Sequence, residues 1–303
     1  MMEMKRLRLL WELHARGTVA RVAEALSYTP SAVSQQLKIL EQEAGVPLLR
    51  RTGRTLELTP AGEALAAEAE GLLAGLERAE ARVLELRSEV TGALRIAAFQ
   101  SAMLAIVPGA LRRLRERHPG LRVEAVQYEP GAALYETRAR SFDLVIAEHY
   151  PDHSTPHFAG LDRVQLVHDR IRLGLPPLGA GHAAFDAVTR VSDLAELPWV
   201  MEPQGAATRH WAEQACRQAG FEPDVRYESA DLQVHLRLIE SGNAAALLPD
   251  LVHAGAASRP RSIELPGDPR RTVFTAARAA SGRNPALVAV REALAEEAAT
   301  LAL

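Results

Sequence analysis

Apolar residues recur with a strict 4-3-4-3 spacing after Pro60, in a segment that continues to about Val90 without another proline. Such a repeat is typical of the seam of a coiled coil, and it is narrower than the apolar stripe of a helix that packs on its own domain. A helix of this length extends for roughly 45 Å, and a single chain covers such a face poorly. The pattern therefore predicts one long helix that pairs two copies of the chain, and packing on the chain's own domain is the alternative. The side chains expected at the dimer contact are Leu65, Leu72, Leu76, Val83 and Leu86, with Ala69, Ala79 and Val90 completing the seam.

Three short helical patterns precede this segment. Thr18 and Thr29 each stand where a helix needs an N-cap hydroxyl, and Pro30 takes the first helical position, where no backbone donor is lost. Ser27 and Tyr28 leave room only for a tight corner between the second and third patterns. This order of elements predicts a helix-turn-helix. The three patterns cover residues 5–15, 19–26 and 30–44.

The third of these patterns has an apolar face and a polar face. Val33, Leu37 and Leu40 recur at helical spacing and are expected to face the core. On the opposite face, glutamine can bond adenine, serine and alanine can approach a phosphate or a thymine methyl group, and lysine can neutralise a phosphate. For an isolated helix, a solvated polar face is the alternative. The candidate DNA contacts are Thr29, Ser31, Ala32, Ser34, Gln35 and Lys38.

A basic loop and an alternating pattern follow the third helix, in the run GVPLLRRTGRTLELTP. Together they predict a two-stranded wing that places guanidinium groups beside the walls of a DNA groove. Residues 1–60 hold nine Lys/Arg against six Glu, a charge of +3, and the rest of the chain carries 26 − 32 = −6. A basic head on an acidic body is consistent with a head that binds a polyanion. The candidate wing contacts are Arg50, Arg51 and Arg54.

The run of residues 17–63 resembles the N-terminal signature of the LysR-type transcriptional regulators along nearly its whole length. The match includes the helix AVSQQLKILE, the GVPLLRR start of the wing and the LTPAGE exit. Leu49 departs from the phenylalanine that the family often has, and it keeps an apolar anchor. The resemblance implies that wing arginines grip the flanking minor groove. It also implies base and backbone contacts from Ser31, Ser34, Gln35 and Lys38.

The same resemblance implies how the chain assembles and what it responds to. In this family the long helix pairs two DNA-binding heads, tetramers are common, and two-fold pairing favours a partly palindromic site. The expected partners are therefore double-stranded promoter DNA and a small-molecule effector, with RNA polymerase as a further partner if the chain activates transcription. No cofactor is expected.

The C-terminal two thirds alternate strand and helix patterns, which predicts an α/β domain with a largely parallel sheet. A second set of elements begins near Val164, and the chain then ends with RTVFTAAR and a C-terminal helix. Two lobes with two crossovers would hold a ligand in the cleft between them. The resemblance implies the same architecture, since the family's effector domain looks like a type 2 periplasmic binding protein.

The expected fold class is therefore multidomain α and α/β. It consists of an all-α winged helix-turn-helix, a long coiled-coil linker helix and a two-lobed α/β effector-binding domain. The expected boundaries are 1–58 for the head, 59–91 for the linker, 92–163 with 269–303 for lobe 1, and 164–268 for lobe 2.

Carried over by the resemblance, the ligand cleft takes residues from both lobes. Ser101 would cap the helix after the first strand of the domain and leave free amides that suit a carboxylate. Leu232 would help to close the site. The predicted effector-binding residues are Phe99, Gln100, Ser101, Ala147, Glu148, His149, Glu202, Gln204, Gly205, Ala206, Ser229 and Asp231.

The acidic residues of this predicted cleft suggest the class of ligand. The family often has a hydroxyl near Glu202, and Glu148 and Asp231 add two further carboxylates. We therefore expect a ligand that bears an amine, such as an amino acid. The alternative is that these acids pair with arginines of the chain, the candidates being Arg138, Arg140 and Arg209.

A lone cysteine and three spaced histidines have simple structural interpretations. Cys216 lies in a helix-like run and is expected to be a buried structural thiol, because a redox sensor usually has a resolving partner. His149, His153 and His157 are four residues apart, which would align metal ligands on a helix. Two prolines interrupt the segment, so a loop without metal is expected.

Other classes of function lack support in the sequence. No G-x-S-x-G elbow, P-loop or H-E-x-x-H motif is present, so no enzymatic activity is expected. The apolar stretches end well short of the roughly 18 residues of a membrane span, and the N-terminus lacks a signal-peptide pattern, so a cytoplasmic location is expected. The rival from another class is a cytoplasmic ligand-binding protein whose helical head serves only assembly.

Overall fold

The structure is a computed structural model that describes residues 1–52, 55–151, 157–254 and 260–301. An N-terminal head leads through one long helix into a two-lobed α/β domain, as the sequence predicts. Two predicted residues, Arg54 of the wing and His153 of the histidine series, lie outside the described residues. The elements of the head are α1 (Met4–Arg16), α2 (Val19–Ala25), α3 (Pro30–Ala44), β1 (Leu49–Thr52) and β2 (Thr55–Leu58).

Hydroxyl caps begin three of the first four helices, and the predicted caps of α2 and α3 are confirmed. The side chains of Thr18, Thr29 and Thr59 each accept a hydrogen bond from the backbone amide three residues later. Pro30 and Pro60 follow two of these caps at the first helical position. Because these signals are local, they define the starts of the helices without help from tertiary contacts.

The linker is α4 (Pro60–Glu85), which ends five residues before the predicted Val90. At this end, the chain turns into the first strand of the C-terminal domain through Gly92, whose φ of 114° favours glycine. Val90 packs instead against the core of lobe 1, so its apolar character belongs to that core. The guanidinium of Arg283 also bonds the carboxylate of Glu85, at 2.6 Å, where α4 ends.

Lobe 1 is an α/β unit whose sheet shares one long strand, β6 (Leu161–Leu175), with lobe 2. Its other elements are β3 (Gly92–Ala98), α5 (Gln100–Ala105), α6 (Val107–Arg117), β4 (Leu121–Gln127), α7 (Pro130–Arg138), β5 (Leu144–His149), β11 (Arg270–Arg278) and α10 (Pro285–Ala299). The strands of this sheet follow the order β4-β3-β5-β11-β6. Strand β3 runs parallel to β4 and to β5, whereas β11 runs antiparallel to both of its neighbours.

Lobe 2 continues from the far end of the shared strand β6. Its elements are β7 (Pro198–Met201), α8 (Ala207–Gln218), β8 (Asp224–Glu228), α9 (Leu232–Glu240), β9 (Ala246–Pro249) and β10 (Arg261–Glu264). The first part of β6 pairs with β11, and its last part pairs with β9 and β10. A separate parallel pair joins β7 to β8.

The prediction of a largely parallel sheet is wrong for the strands that join the lobes. Strands β6 and β11 carry the chain out of lobe 1 and back into it, and they pair antiparallel, so the sheet is mixed. Alternation of strands and helices indicates parallel neighbours only where a helix separates consecutive strands of one sheet. Among the described residues, none of the helices has the length and apolarity needed to cross a membrane.

Candidate functional site

Helix α3 presents a polar surface on the face opposite its buried side chains. Val33, Leu37 and Leu40 are buried in the core of the head, as predicted. Gln36 is turned toward α1, where its amide oxygen accepts a hydrogen bond from Arg6 at 3.2 Å. Arg6 also forms two hydrogen bonds with Glu43, so α3 is tied to α1 at both of these residues. The predicted contacts Thr29, Ser31, Ser34, Gln35 and Lys38 are exposed, and Ala32 is half-buried.

The hydroxyls at the start of α3 already have partners in the head. Thr29 caps the helix and lies 3.0 Å from the hydroxyl of Ser31. Ser34 donates a hydrogen bond to the carbonyl of Pro30 at 2.9 Å. The longer side chains of Gln35 and Lys38 are exposed on the same face of the helix.

The wing is a two-stranded antiparallel ribbon in which the two described arginines differ. Arg50 is paired with Glu57 in the register and its guanidinium lies 3.4 Å from that carboxylate, with both side chains exposed. Arg51 is paired with Leu56 and is exposed as well. Arg51 is thus the described wing arginine that does not face an acid across the ribbon.

Helix α4 has two apolar stripes, and among the described residues one of them packs on the core of the head while the other stays exposed. Ala66, Ala69 and Leu73 are buried in the core of the head. Leu65 is half-buried against the same core, and Leu86 follows the last helical residue. The other stripe carries the large predicted seam residues that remain exposed, which are Leu72, Leu76 and Val83, together with Leu86.

A cavity of about 510 Å³ lies between the two lobes. Lobe 1 contributes residues 129–132, at the start of α7, and Glu148 at the end of β5. Lobe 2 contributes Glu202, the residues that lead into α8, and Ala230. Ala206, which precedes α8, provides no side-chain cap, so the first amides of that helix are not bonded by it.

Three carboxyl groups in the cavity wall have pKa values that burial raises above their usual range. Burial raises the pKa of Glu202 to about 7, and the neighbouring Glu148 and Glu129 raise it further. Burial likewise raises the pKa of Glu148 to about 7, against the lowering effect of Arg271. The pKa of Glu129 is also raised by burial. A cationic group in this cavity would offset the mutual repulsion of these carboxylates.

The Glu148 carboxylate belongs to a buried cluster centred on Arg271, which the sequence reasoning missed. The Arg271 guanidinium donates to Glu148, to Asp169 at 2.8 Å and to the hydroxyl of Ser101 at 2.7 Å. It also lies over the ring of Phe99, 5.0 Å from the ring centre. Since Arg271 is on β11 and Asp169 on β6, the cluster fixes the two strands that join the lobes.

The predicted effector residues fall into three groups: some line the cavity, some form a contact between the lobes, and the rest lie outside the cavity wall. The Gln100 amide donates to Asp231 at 2.6 Å and accepts from the Leu232 amide at 2.7 Å, which joins α5 to α9 across the cleft. Ser229 bonds the amide of Asp231 in the same contact. The predicted residues in the cavity wall are Glu148, Glu202, Gln204, Gly205 and Ala206.

The other predicted effector residues lie outside the cavity wall. Phe99, Ser101 and Ala147 are buried, and His149 is exposed at the end of β5. The predicted cap at Ser101 is wrong, because Phe99 precedes α5 and the Ser101 hydroxyl accepts from Arg271 instead. The first residues of a longer helix, α8, line the cavity in its place.

The three arginines expected as alternative partners of the cleft carboxylates bind other carboxylates instead. Arg209 pairs with Glu213 and Glu228, and it donates to the backbone carbonyl of Glu202 rather than to its carboxylate. The other two candidate arginines, Arg138 and Arg140, pair with Glu70 and Glu77 of the linker helix.

Cys216 is a buried thiol, and the described histidines do not belong to a cluster of three metal-binding side chains. Cys216 is buried in lobe 2, and this burial raises the pKa of its thiol to about 12, which disfavours the reactive thiolate. Within residues 1–52, 55–151, 157–254 and 260–301, no group of three metal-binding side chains comes together.

Two family models match the chain and together cover most of it. The LysR substrate binding domain matches residues 87–299, and the bacterial regulatory helix-turn-helix protein, lysR family, matches residues 4–63. The transcriptional dual regulator GltC of Bacillus subtilis is 28% identical over 258 residues, which is 85% of this chain and 84% of GltC. The HTH-type transcriptional regulator GbpR of Rhizobium radiobacter is 30% identical over 217 residues, covering 69% of this chain and 68% of GbpR.

Solved structures of full-length regulators share the fold. A cysteine-to-aspartate variant of full-length OxyR from Pseudomonas aeruginosa aligns with a TM-score of 0.69 at 20% identity, covering 100% of this chain and 96% of that protein. Full-length CbnR, complexed with its target DNA, aligns with a TM-score of 0.53 at 20% identity, covering 98% of this chain and 100% of that protein. The chain is therefore a member of the LysR family of DNA-binding transcriptional regulators, which respond to a small-molecule effector.

Proposed function

We propose that the chain binds partly palindromic promoter DNA as a dimer or tetramer, with α3 in the major groove and the wing on the flanking backbone. The observation that carries this proposal is the division of α3 into a buried apolar face and an exposed face of small polar and basic side chains. A helix held in this way can present Gln35 and Lys38 to base edges and phosphates.

The two stripes of α4 support the paired arrangement. A helix needs one apolar stripe to pack on its own domain, and the stripe through Ala66, Ala69 and Leu73 does this. The stripe through Leu72, Leu76 and Val83 stays exposed and does not pack on a domain within the described part of one chain. A second copy of α4 would cover it and would set the spacing of the two heads.

Substitution of single contact residues separates base reading from backbone contact. Gln35→Ala should relax the preference for one base at its position, by about 1–3 kcal/mol. Arg51→Ala should weaken binding to every sequence by a similar factor and reduce its dependence on salt. Competition binding to a set of single-base variants of a selected duplex measures both effects.

A distant glutamine provides the matched control for this test. Gln218→Ala, at an exposed position on α8, should leave affinity and base preference unchanged. If Gln35→Ala alters neither affinity nor preference, the outer face of α3 is not the reading surface. If the wild-type chain does not bind DNA at all, the rival function of a ligand-binding protein with an assembly head is favoured.

We further propose that the effector bears an amine and that the cavity between the lobes binds it. Glu129, Glu148 and Glu202 line the cavity, and only Glu148 is bonded to the guanidinium of the buried cluster. A cation placed among them would allow the raised pKa values to return toward the usual range. The open amides at the start of α8 could bind a carboxylate of the same ligand, which suits an amphoteric molecule such as an amino acid. We infer that the cavity serves sensing rather than catalysis.

Calorimetry with three classes of compound tests this ligand assignment. The panel contains the twenty amino acids, the polyamines putrescine and spermidine, and plain organic acids such as succinate and benzoate. We expect an amine-bearing compound to bind and Glu202→Gln to weaken that binding about tenfold, the loss of one charge-assisted contact. Glu196→Gln, exposed on lobe 2, is the control and should bind as the wild type does. Binding of the plain acids alone would refute the assignment.

A further inference from the structure

Helix α7 connects the effector cavity to the DNA-binding head of the same chain. Residues 129–132, at its N-terminal end, line the cavity between the lobes. The helix has nine residues and is thus about 13 Å long. Its C-terminal half contacts the head and the linker, so this one helix borders the cavity at one end and touches the head at the other.

The contact between α7 and α1 consists of directional polar bonds. The carboxylate of Glu136 accepts two hydrogen bonds from the guanidinium of Arg16, at 2.9 and 2.8 Å. Ser141 joins the pair, because its hydroxyl donates to Glu136 at 2.7 Å and accepts from Arg16 at 3.0 Å. The hydroxyl of Tyr135 donates to the carbonyl of Ala15, in the last turn of α1.

The Arg16–Glu136 pair is largely shielded from solvent, so solvent screens the attraction between its charges only weakly. The side chains are 7% and 19% exposed, and Arg16 also bonds the fully buried Glu12 at 2.7 Å. A bidentate bond with little solvent screening fixes orientation as well as distance. Loss of Glu136 would therefore leave α1 without its main polar anchor on lobe 1.

A second group of contacts joins the same region of lobe 1 to the linker helix. Glu77 of α4 lies between two arginines of the effector domain, Arg140 and Arg278. Arg278 also donates to the carbonyl of Thr137, in the last turn of α7, at 2.7 Å. Ala139, directly after α7, is buried within the apolar core of the head.

An open space separates part of the head from lobe 1 on the side of α2, and the Arg16–Glu136 contact forms part of its wall. A second cavity, of about 690 Å³, separates Arg21 and Ser27 in the helix-turn-helix from Tyr128 and Phe142 in lobe 1. Contact between the two units is thus concentrated on α1 and α4, beside an open space. A small rotation of α7 can move α1 without the repacking of an extended interface.

We propose that α7 is the element that couples the two functional sites of the chain, with Glu136 as the residue that positions α1 and, through it, the DNA-binding head. A ligand that displaces the first turn of α7 displaces its last turn as well, and the Arg16–Glu136 bond transmits that movement to α1. This coupling rests on DNA binding by the head and does not depend on the chemical class of the effector.

Because coupling between two sites is reciprocal, DNA can replace the unidentified effector in the test. Hydrogen–deuterium exchange of the full-length protein is measured with and without a duplex that the protein itself has selected from a random pool. We expect DNA to slow exchange of the α7 amides, including those next to the cavity, by about fivefold, the lower end of typical coupling between sites. In Glu136→Gln this slowing should fall below about twofold, although the duplex is bound at saturating concentration.

Two further variants make the result decisive. Glu116→Gln, on the exposed face of α6, should keep the full response of α7. Tyr135→Phe removes only one hydroxyl from the contact and carries the test if Glu136→Gln does not fold. In the free protein, Glu136→Gln should also speed exchange in the last turn of α1 about fivefold, a reading that needs no DNA. The proposal would be overturned if DNA does not slow exchange of the α7 amides in the wild type. It would also be overturned if both Glu136→Gln and Tyr135→Phe keep the wild-type slowing.

Discussion

Leu72→Glu combined with Leu76→Glu is expected to convert the protein to monomers and to lower its affinity for a two-half-site duplex by about 10²–10⁴-fold. Both side chains lie on the apolar stripe of α4 that stays exposed in the described part of the chain. In a dimer, the second head binds at the high effective concentration that the linker helices impose, and this gain is lost in a monomer. Sedimentation and quantitative retardation of the same samples measure the two effects together.

The position of the substitution on α4 can be separated from its charge. Arg78→Glu adds an acidic residue at another exposed position of the helix, outside both apolar stripes, and it should leave the protein dimeric. Leu72→Met keeps an apolar side chain in the seam and should preserve both dimer and affinity. A double variant that remains dimeric would show that copies of the chain pair through another surface.

Arg271→Met is expected to lower the free energy of unfolding by about 3–5 kcal/mol, since it leaves two buried carboxylates without their main partner. Glu148 and Asp169 are both buried around the guanidinium. The neighbouring Arg270→Met is a matched control, because Arg270 is partly exposed and pairs with Asp268, and its effect should stay within about 0.5 kcal/mol. Urea unfolding followed by tryptophan fluorescence measures the difference.

The effect of Arg271→Met should also depend on pH in a defined direction. Burial already raises the pKa of Glu148 to about 7 and raises that of Asp169, and removal of the guanidinium raises both further. A carboxyl whose pKa is higher in the folded state favours folding below its unfolded pKa, and this contribution is lost as pH rises through the folded value. The loss in free energy of unfolding caused by Arg271→Met should therefore be larger at pH 8 than at pH 5.5. An equal deficit at both values would mean that the two carboxyls are not the cause.

Local signals in the sequence predicted the head well. The caps at Thr18 and Thr29 and the inward face of α3 depend on residues within one or two turns, so the pattern alone defines them. The end of α4 was missed because the chain has to enter a sheet at Gly92, a requirement that does not appear in the apolar repeat.

Long-range pairing limited what could be predicted of the effector site. Glu202 and the residues up to Ala206 lie in one loop, so a single resemblance carried them together into the cavity wall. Arg271 was missed because its partner Glu148 is 123 residues away in the sequence, and only the crossing of the lobes brings them into contact. A basic residue at the start of a strand that returns between two lobes is the signal that could have suggested it.

The pH dependence of effector binding tests the proposed cavity most directly. Because burial raises the pKa of Glu148 and of Glu202 to about 7, the ionised fraction of these carboxyls increases between pH 6 and pH 8. A bound ammonium group favours the ionised form, so calorimetry of the amine-bearing ligand should show about tenfold tighter binding at pH 8 than at pH 6, with protons released. Glu202→Gln should remove a large part of this dependence. Tighter binding at pH 6, or affinity that does not change with pH, would contradict a cavity that recognises a cation.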